Sequence, residues 1–512
     1  MKKKILFFLL LFCVLILVPA QEEDAWNLSL KKLSSIVDLI EENYYQEPNE
    51  DELIFSSVRG IIQTLDPHSY FLEPSHFSRL REEHEGKYYG LGILIQKQDD
   101  RLVVISPIEG GPAFRLGIQA GDVISHIMGE STKPISSYEA MQKLRGPKAT
   151  DVTITIVREG LEEPFDLTIV REEISLHSVP YAFILQDDVG YIFIRNFSST
   201  TTKEFEEKME SLVKQGMREL ILDLRGNGGG TFFQSIEISD EFLPKGAPVV
   251  SIKGRNKYYN RGFSAVSNNQ YENLPLIILI DRGSASAPEI LSGAIKDNDR
   301  GLIVGEDSWG KGVVQTVFPL ASNLGLALTT AKYFTPSGRS IQRDYSSLED
   351  YMLKREVSEE IREIRYTSKG RKVLGQGGIS PDYTVKFSIQ PLTSRLFFQG
   401  AFFRYGRKFA EQKTSLSKGF ELPSEKQALL KPHTIVDEQV IRDFMVSLEK
   451  NKIEFEKEEF EKAKEEIRRE LTREIFSSLW GMEEGVKVYR RTDPVVIKAI
   501  EVLPEAKKLL TD

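Results

Sequence analysis

Leu276-Ile-Ile-Leu-Ile-Asp281-Arg-Gly-Ser-Ala-Ser-Ala-Pro-Glu289 sets an unbroken apolar run directly against a turn of small residues. Five consecutive leucine and isoleucine residues followed by turn formers read as a strand buried on both faces. Pro288 suits the first turn of a helix, so the chain is expected to pass from strand to helix over 281–287. Side chains at such a junction stand at the C-terminal end of a strand, where open α/β sheets bind ligands. The helix behind them offers unpaired N–H groups and partial positive charge to a developing anion. Ser284 and Ser286 are therefore candidate nucleophiles, or else plain turn and cap residues.

The next segment outward narrows that choice. Ser308-Trp-Gly-Lys-Gly312 places Lys311 25 residues after Ser286. A helix over 287–297 carries the chain about 15 Å away at 1.5 Å per residue. The turn Asn298-Asp-Arg-Gly301 and a strand over 302–305 bring it back, and glycines 305, 310 and 312 allow tight folding. Lys311 can thus return beside Ser286. To act as a base it must be neutral, which requires burial to depress its pKa from about 10.4. Gln315, four residues on, can orient the amine. Taken singly, an exposed loop lysine and a plain strand glutamine are the alternatives.

Histidine placement favours lysine as the base. The six histidines are His68, His76, His84, His126, His177 and His433, so none falls within 178–432. A Ser-His-Asp triad would have to import its base from another domain. His84-Glu85 is followed by Tyr88 where a zinc-protease helix carries its second histidine. No metal and no other cofactor is expected. Gly226-Asn-Gly-Gly-Gly230, after a buried strand expected over 220–225, can present consecutive N–H groups to an anion. It lacks the Gly-Lys-Ser/Thr of a phosphate loop.

With 512 residues the chain is too long for one core. Residues 27–84 show helical periodicity (Leu30, Leu33, Ile36, Val37, Ile40; Leu53, Ser57, Ile61, Leu65) up to the turn at Asp66-Pro67. Short strands with two small helices over 86–172 make a partly open β-barrel. Strands alternate with helices from 175 to about 385, as in a sheet covered on both faces. From 386 to 512 the chain is charged and helical, with Phe460, Ala463, Ile467, Leu471 and Ile475 in one stripe.

Lys2-Lys-Lys4, the apolar run Ile5–Val18 and Pro19-Ala20 form an export signal with a cut after Ala20. The run is shorter than the ~20 residues of a spanning helix. The single cysteine, Cys13, lies inside it, so the exported chain would contain no disulfide and no thiol nucleophile. An exported, periplasmic location is expected; the alternative is anchorage to the outer face of the inner membrane by an uncleaved segment. Formal net charge is −9, which gives no support for nucleic-acid binding. The charged C-terminal helices suit a homodimer interface and a solvated face equally well.

Together, Leu65-Asp-Pro-His-Ser69, Gly90-Leu-Gly92, Gly111-Pro-Ala113, Gly121-Asp122, Leu222-Asp-Leu-Arg225, Gly283-Ser-Ala-Ser-Ala287, Gly310-Lys-Gly312, Thr335-Pro-Ser-Gly-Arg-Ser-Ile-Gln342 and Gly378-Ile-Ser-Pro-Asp382 resemble the C-terminal processing peptidases, or tail-specific proteases. The resemblance covers roughly 28–385. It implies a multidomain α/β protein: a helical N-terminal segment, an inserted PDZ domain, and a crotonase/Clp-like protease core. It further implies Ser286 as nucleophile, Lys311 as general base and Gln315 as the residue orienting it. The backbone N–H groups of Ala287 and Gly229, with Gly230 next in line, match the oxyanion hole. Leu91, Gly92 and Ile93 match the loop that grips a substrate's terminal carboxylate, so protein substrates would bind by their C-terminal tails through strand addition. The family usually has serine at the position of Pro288 and asparagine at that of Gly226. The rival class is a PDZ-containing scaffold with a dormant protease core.

Overall fold

The computed structural model describes residues 25–511 except 99, 109, 268–270, 344–361, 387 and 419–434. The expected export signal, with Cys13, lies outside the described residues.

The chain divides into two compact units after Phe71. The described part of the first contains helices Ala25–Asn43 and Glu50–Gln63. Asn49 starts the second by accepting the Glu52 N–H at 3.0 Å. Glu50, Asp51 and Glu52 then lie at its positive end. The periodicity of 27–84 is therefore interrupted at 44–49, where Pro48 and the Asn49 cap restart the helix.

The second unit opens with helix Pro74–Glu85, stopped by Gly86 at φ 71°. Strand Lys87–Gly90 follows and pairs antiparallel with Glu172–Ser175. Everything between these two strands is one module. Its antiparallel sheet runs Ile93–Gln98, Arg101–Pro107, Val123–Ile127, Asp151–Val157, Phe165–Val170 in spatial order. Helices Pro112–Arg115 and Ser137–Leu144 accompany the sheet. Ser136 and Glu139 form a reciprocal cap on the longer helix, with N–H to side-chain distances of 3.2 and 2.7 Å. Leu102, Val104, Ile124, Ile154, Ile156 and Ile169 fill the interior. The strands and two helices are those expected of a PDZ module.

The core is a six-stranded sheet ordered Tyr181–Gln186, Val189–Phe193, Glu219–Asp223, Leu276–Ile280, Leu302–Gly305, Tyr383–Thr384. All neighbours after the first pair are parallel. Alternation along each strand sends side chains to opposite faces. Leu220, Leu222, Ile278, Ile280 and Ile303 meet helices Thr201–Lys214, Phe232–Asp240 and Ala287–Asp297. Ile221, Ile277, Leu279 and Val304 meet Val496, Ala499 and Leu503 of helix Pro494–Lys508. Both faces are covered, which is why these strands lack polar alternation. Beside this sheet, the hairpin Val313–Leu320/Leu324–Phe334 extends antiparallel through Pro248–Lys253 to Arg261–Ser264.

The C-terminal helices do not share one interior. Those from Pro391 to Arg491 bury Phe402, Phe409, Phe444, Phe460 and Phe476 against one another, whereas Pro494–Lys508 completes the core sheet. Among the described residues no helix is long and apolar enough to cross a membrane.

Candidate active site

Strand Leu276–Ile280 is wholly buried and ends at Asp281. Asp281 Oδ1 accepts the N–H groups of Gly283 at 2.8 Å and Gly226 at 2.9 Å. Ser284 is fully buried, and its hydroxyl donates to the Leu224 carbonyl at 2.8 Å. Ser284 is thus a structural tie between the turn and the glycine loop. Ser286, two residues on, is only partly buried and sits at φ 64°, ψ −108°. This is a backbone conformation that a residue with a side chain adopts only when its surroundings impose it. The imposition comes from helix Ala287–Asp297, in which every residue is buried. Its polar members are tied off: Lys296 Nζ pairs with Asp382 at 2.9 Å, and Asp297 with Arg339 at 2.7 Å.

Glu289, one turn into that helix, is fully buried. Its Oε2 accepts the N–H of Ser286 at 2.8 Å and of Lys311 at 3.0 Å. Its Oε1 accepts from Ser308 Oγ at 2.5 Å and the Gly310 N–H at 2.7 Å. Burial raises the Glu289 pKa above its ordinary value, and the four hydrogen bonds offset part of that rise. One carboxylate therefore fixes the backbone of both candidate catalytic residues. Tyr333 ties them a second time, its hydroxyl lying 2.7 Å from the Lys311 carbonyl and 3.3 Å from that of Ser286.

The loop returning from Gly305 reaches this point as the register requires. A Cβ at Gly305, at φ +129°, would lie 2.0 Å from the Ile280 carbonyl oxygen. Only glycine allows the strand to leave the sheet so close to its neighbour. The Trp309 N–H donates to the Ser284 carbonyl at 2.8 Å. Lys311 Nζ lies 2.5 Å from Gln315 Oε1, on the hairpin strand at an irregularity between Val314 and Gln315. Burial lowers the Lys311 pKa, against a weaker opposing pull from Glu289. No hydrogen bond joins Ser286 Oγ to Lys311 Nζ among the described residues. Catalytic contacts of this kind commonly tighten only when substrate is bound.

Gly229, at φ +107°, backs directly onto the turn: a Cβ there would lie 3.0 Å from Ser286 Cβ and 2.9 Å from the Ala285 carbonyl oxygen. Its N–H donates to Asn227 Oδ1 at 2.9 Å. Ala287 is the first residue of its helix, so its N–H has no intrahelical acceptor. The structure thus brings Ser286, Ala287, Gly229, Lys311 and Gln315 into one site. Leu91, Gly92 and Ile93 lie in the separate module, where Ile93 begins strand Ile93–Gln98 and pairs with Pro107. The Leu91 carbonyl accepts from Ala113 at 3.1 Å and that of Gly92 from Ile108 at 2.8 Å.

Sequence reasoning missed Glu289, Ser308 and Tyr333. Glu289 carried a signal, since Ser286-Ala-Pro-Glu289 has the spacing of a capping box. Ser308 and Tyr333 carried none, because they meet the site only through tertiary folding.

Comparison with known proteins agrees with this architecture. Residues 188–347 match the model of peptidase family S41, 103–158 that of a PDZ domain, and 437–503 that of a probable PDZ-protease C-terminal helical domain. The carboxy-terminal-processing protease of Bartonella bacilliformis is 36% identical over 329 residues, covering 64% of this chain and 75% of that protein. The carboxy-terminal processing protease CtpA of Bacillus subtilis is 33% identical over 316 residues, covering 61% of this chain and 66% of that protein. Among solved structures, the photosystem II D1 C-terminal processing protease is 28% identical with a TM-score of 0.38, covering 71% of this chain and 93% of that one. With its S41 core, PDZ module and C-terminal helices, the chain belongs to the carboxy-terminal-processing proteases of peptidase family S41, which are serine-type peptidases.

Proposed function

We propose that this peptidase is an exported endopeptidase that captures substrates by their C-terminal tails and cleaves them through Ser286 with Lys311 as base. The observation that carries the reading is the double attachment of Ser286 and Lys311 to the buried Glu289 carboxylate. In the reaction, Ser286 Oγ attacks the scissile carbonyl carbon as its proton passes to Lys311 Nζ. The carbonyl oxygen becomes an oxyanion facing the Ala287 and Gly229 N–H groups. Collapse expels the amine, which takes the proton from Lys311, and leaves an acyl-enzyme ester on Ser286. Water, deprotonated by Lys311, attacks the ester carbonyl; Ser286 Oγ then leaves, taking the proton back from Lys311, as the acid product is released. For Gly229 to donate, its N–H must turn from Asn227 Oδ1 to the oxyanion; Gly230 lies beside it as the second candidate donor.

Substrate delivery falls to the PDZ module. Its Leu91-Gly-Ile93 loop would receive the terminal carboxylate, and the tail would add as a strand beside Ile93–Gln98. Export would follow from residues 1–20, with a periplasmic enzyme as the result. Ser286→Ala and Lys311→Ala should each abolish cleavage of a substrate with an exposed C-terminal tail. Retained cleavage in both variants would overturn the assignment.

A further inference from the structure

We infer that Asp493, in the C-terminal helical region, is a positioning residue for the peptidase reaction: through Arg225 it holds the glycine loop that faces Ser286. The inference rests on the function proposed above. Arg225 ends the segment leading into Gly226-Asn-Gly-Gly-Gly230. One edge of its guanidinium grips Asp223, with Nε at 2.9 Å from Oδ1 and Nη2 at 2.6 Å from Oδ2. The other edge grips Asp493, with Nη1 at 3.2 Å from Oδ1 and Nη2 at 2.8 Å from Oδ2. A planar fork bound on two edges can neither rotate nor slide.

The surroundings complete the clasp. The Tyr191 hydroxyl donates to Asp223 Oδ2 at 2.7 Å, and Arg490 Nη1 to Asp493 Oδ2 at 3.0 Å. Two cations and two anions balance, and Asp223 and Asp493 are almost completely buried. Removing one member of such a set leaves the others uncompensated.

The loop needs this anchor because of its composition. Four of its five residues are glycine and have no side chain to hold them in place. Its far end is fixed at Phe197, whose N–H donates to the Gly229 carbonyl at 2.9 Å. Its near end is held by the Arg225 clasp, by the Gly226 N–H bond to Asp281, and by buried Asn227, which donates from Nδ2 to the Ile194 carbonyl at 2.9 Å and accepts the Ala285 N–H at 3.0 Å. A cavity of about 500 Å³ lined by Arg225, Gly226, Asp281, Arg490 and Asp493 lies beside the near end. The loop thus has room to shift if the clasp lets go.

Asp493→Asn in the full chain separates this role from a structural one. Asp493 also caps helix Pro494–Lys508 by accepting the Val495 N–H at 2.9 Å. Asparagine caps as well as aspartate, so the helix start survives while the charge facing Arg225 is lost. We expect kcat for a tail-bearing peptide to fall on the order of ten-fold, less than the loss of a whole oxyanion donor. KM should stay near wild type, the thermal midpoint should fall because Arg225 and Arg490 lose a buried counter-charge, and amide exchange should quicken at 226–231 but not at 494–508. An unchanged kcat in a correctly folded variant overturns the inference. So does faster exchange confined to 494–508, which would make Asp493 a helix cap and nothing more. Ser286→Ala is run in parallel: cleavage that survives it defeats the proposed function, whereas Ser286-dependent cleavage indifferent to Asp493→Asn defeats only this inference.

Discussion

The N–H groups of Ser286 and Lys311 donate to the same oxygen, Oε2 of Glu289, at 2.8 and 3.0 Å. The proposed nucleophile and base are 25 residues apart in sequence, yet their backbones are set by one buried atom.

Glu289→Gln replaces one acceptor oxygen with an amide NH₂. Whichever way the amide turns, a donor then faces donors. An unmet buried polar group costs about 1–3 kcal/mol, so the thermal midpoint should fall. Activity should fall further than stability, because both catalytic backbones lose their common reference. Calorimetry and peptide hydrolysis on the same preparation test this; a variant with wild-type kcat would show that the carboxylate serves folding alone.

Burial holds the Lys311 pKa below its ordinary value of 10.5. If Lys311 is the base proposed above, its neutral amine is the active form, so kcat/KM should rise with pH and level off sooner than an ordinary lysine would allow. Gln315 Oε1 accepts from the ammonium at 2.5 Å, which favours the charged form. Gln315→Ala should therefore move the rising limb to lower pH while lowering the plateau, since the amine is no longer aimed. Matching pH profiles of the two proteins would remove Gln315 from the proton-transfer step.

Gly229 and Gly230 should fail differently when changed to alanine. At Gly230 the new Cβ would stand 1.9 Å from the Phe197 carbonyl oxygen, in a backbone at φ +138°. Backbone cannot yield that far, so Gly230→Ala should lose stability and soluble yield. At Gly229 the nearest atoms are 2.9 and 3.0 Å away and belong to the nucleophile turn. Gly229→Ala should fold, with a loss of kcat larger than its change in thermal midpoint. Equal thermal midpoints for the two variants would contradict this contrast.

Burial opposes ionisation of Asp223, but Arg225 and Arg490 more than compensate and bring its pKa down from 3.8 to about 2. Asp493, likewise penalised by burial, is lowered by the same two arginines. A carboxylate whose folded pKa is depressed contributes stability above its unfolded value and loses it as pH falls through the folded one. The contribution of Asp223 should thus be intact above about pH 4 and fade toward about pH 2. Thermal midpoints across that window should drop more steeply for the wild type than for Asp493→Asn. Parallel curves would mean the clasp does not titrate there.

The elements that a local pattern dictates were legible in the sequence. The run Leu276–Ile280 is a fully buried strand, and Pro288 lies in the first turn of helix Ala287–Asp297. The buried strand expected over 220–225 runs two residues too long, because Leu224 stays buried after the ladder has ended at Asp223. Tyr181–Gln186 of the core sheet went unread although Tyr181-Ala-Phe-Ile-Leu185 is an apolar run, and Pro248–Lys253 of the neighbouring sheet went unread because Ser251 interrupts its apolar residues. In the site, Ser286, Lys311 and Gln315 were legible through residue type and spacing. The reach of Asp493 to Arg225, 268 residues away, was not, since nothing local to either residue specifies its partner.

The four-rung ladder between Lys87–Gly90 and Glu172–Ser175 makes the PDZ module a topological graft. Its two ends leave the protease as adjacent strands, closed by the Leu176 N–H bond to the Gly86 carbonyl at 2.8 Å. Neighbouring strands stand about 5 Å apart, so an insert whose termini meet at that spacing joins the ladder, provided it also replaces the contacts of Arg407 with Ala120 and Glu159 and of Arg145 with Glu82. The proposed recognition and cleavage roles thereby sit on separable pieces of chain. A different reader of chain ends could be spliced between residues 90 and 172 without rerouting a strand of the catalytic sheet.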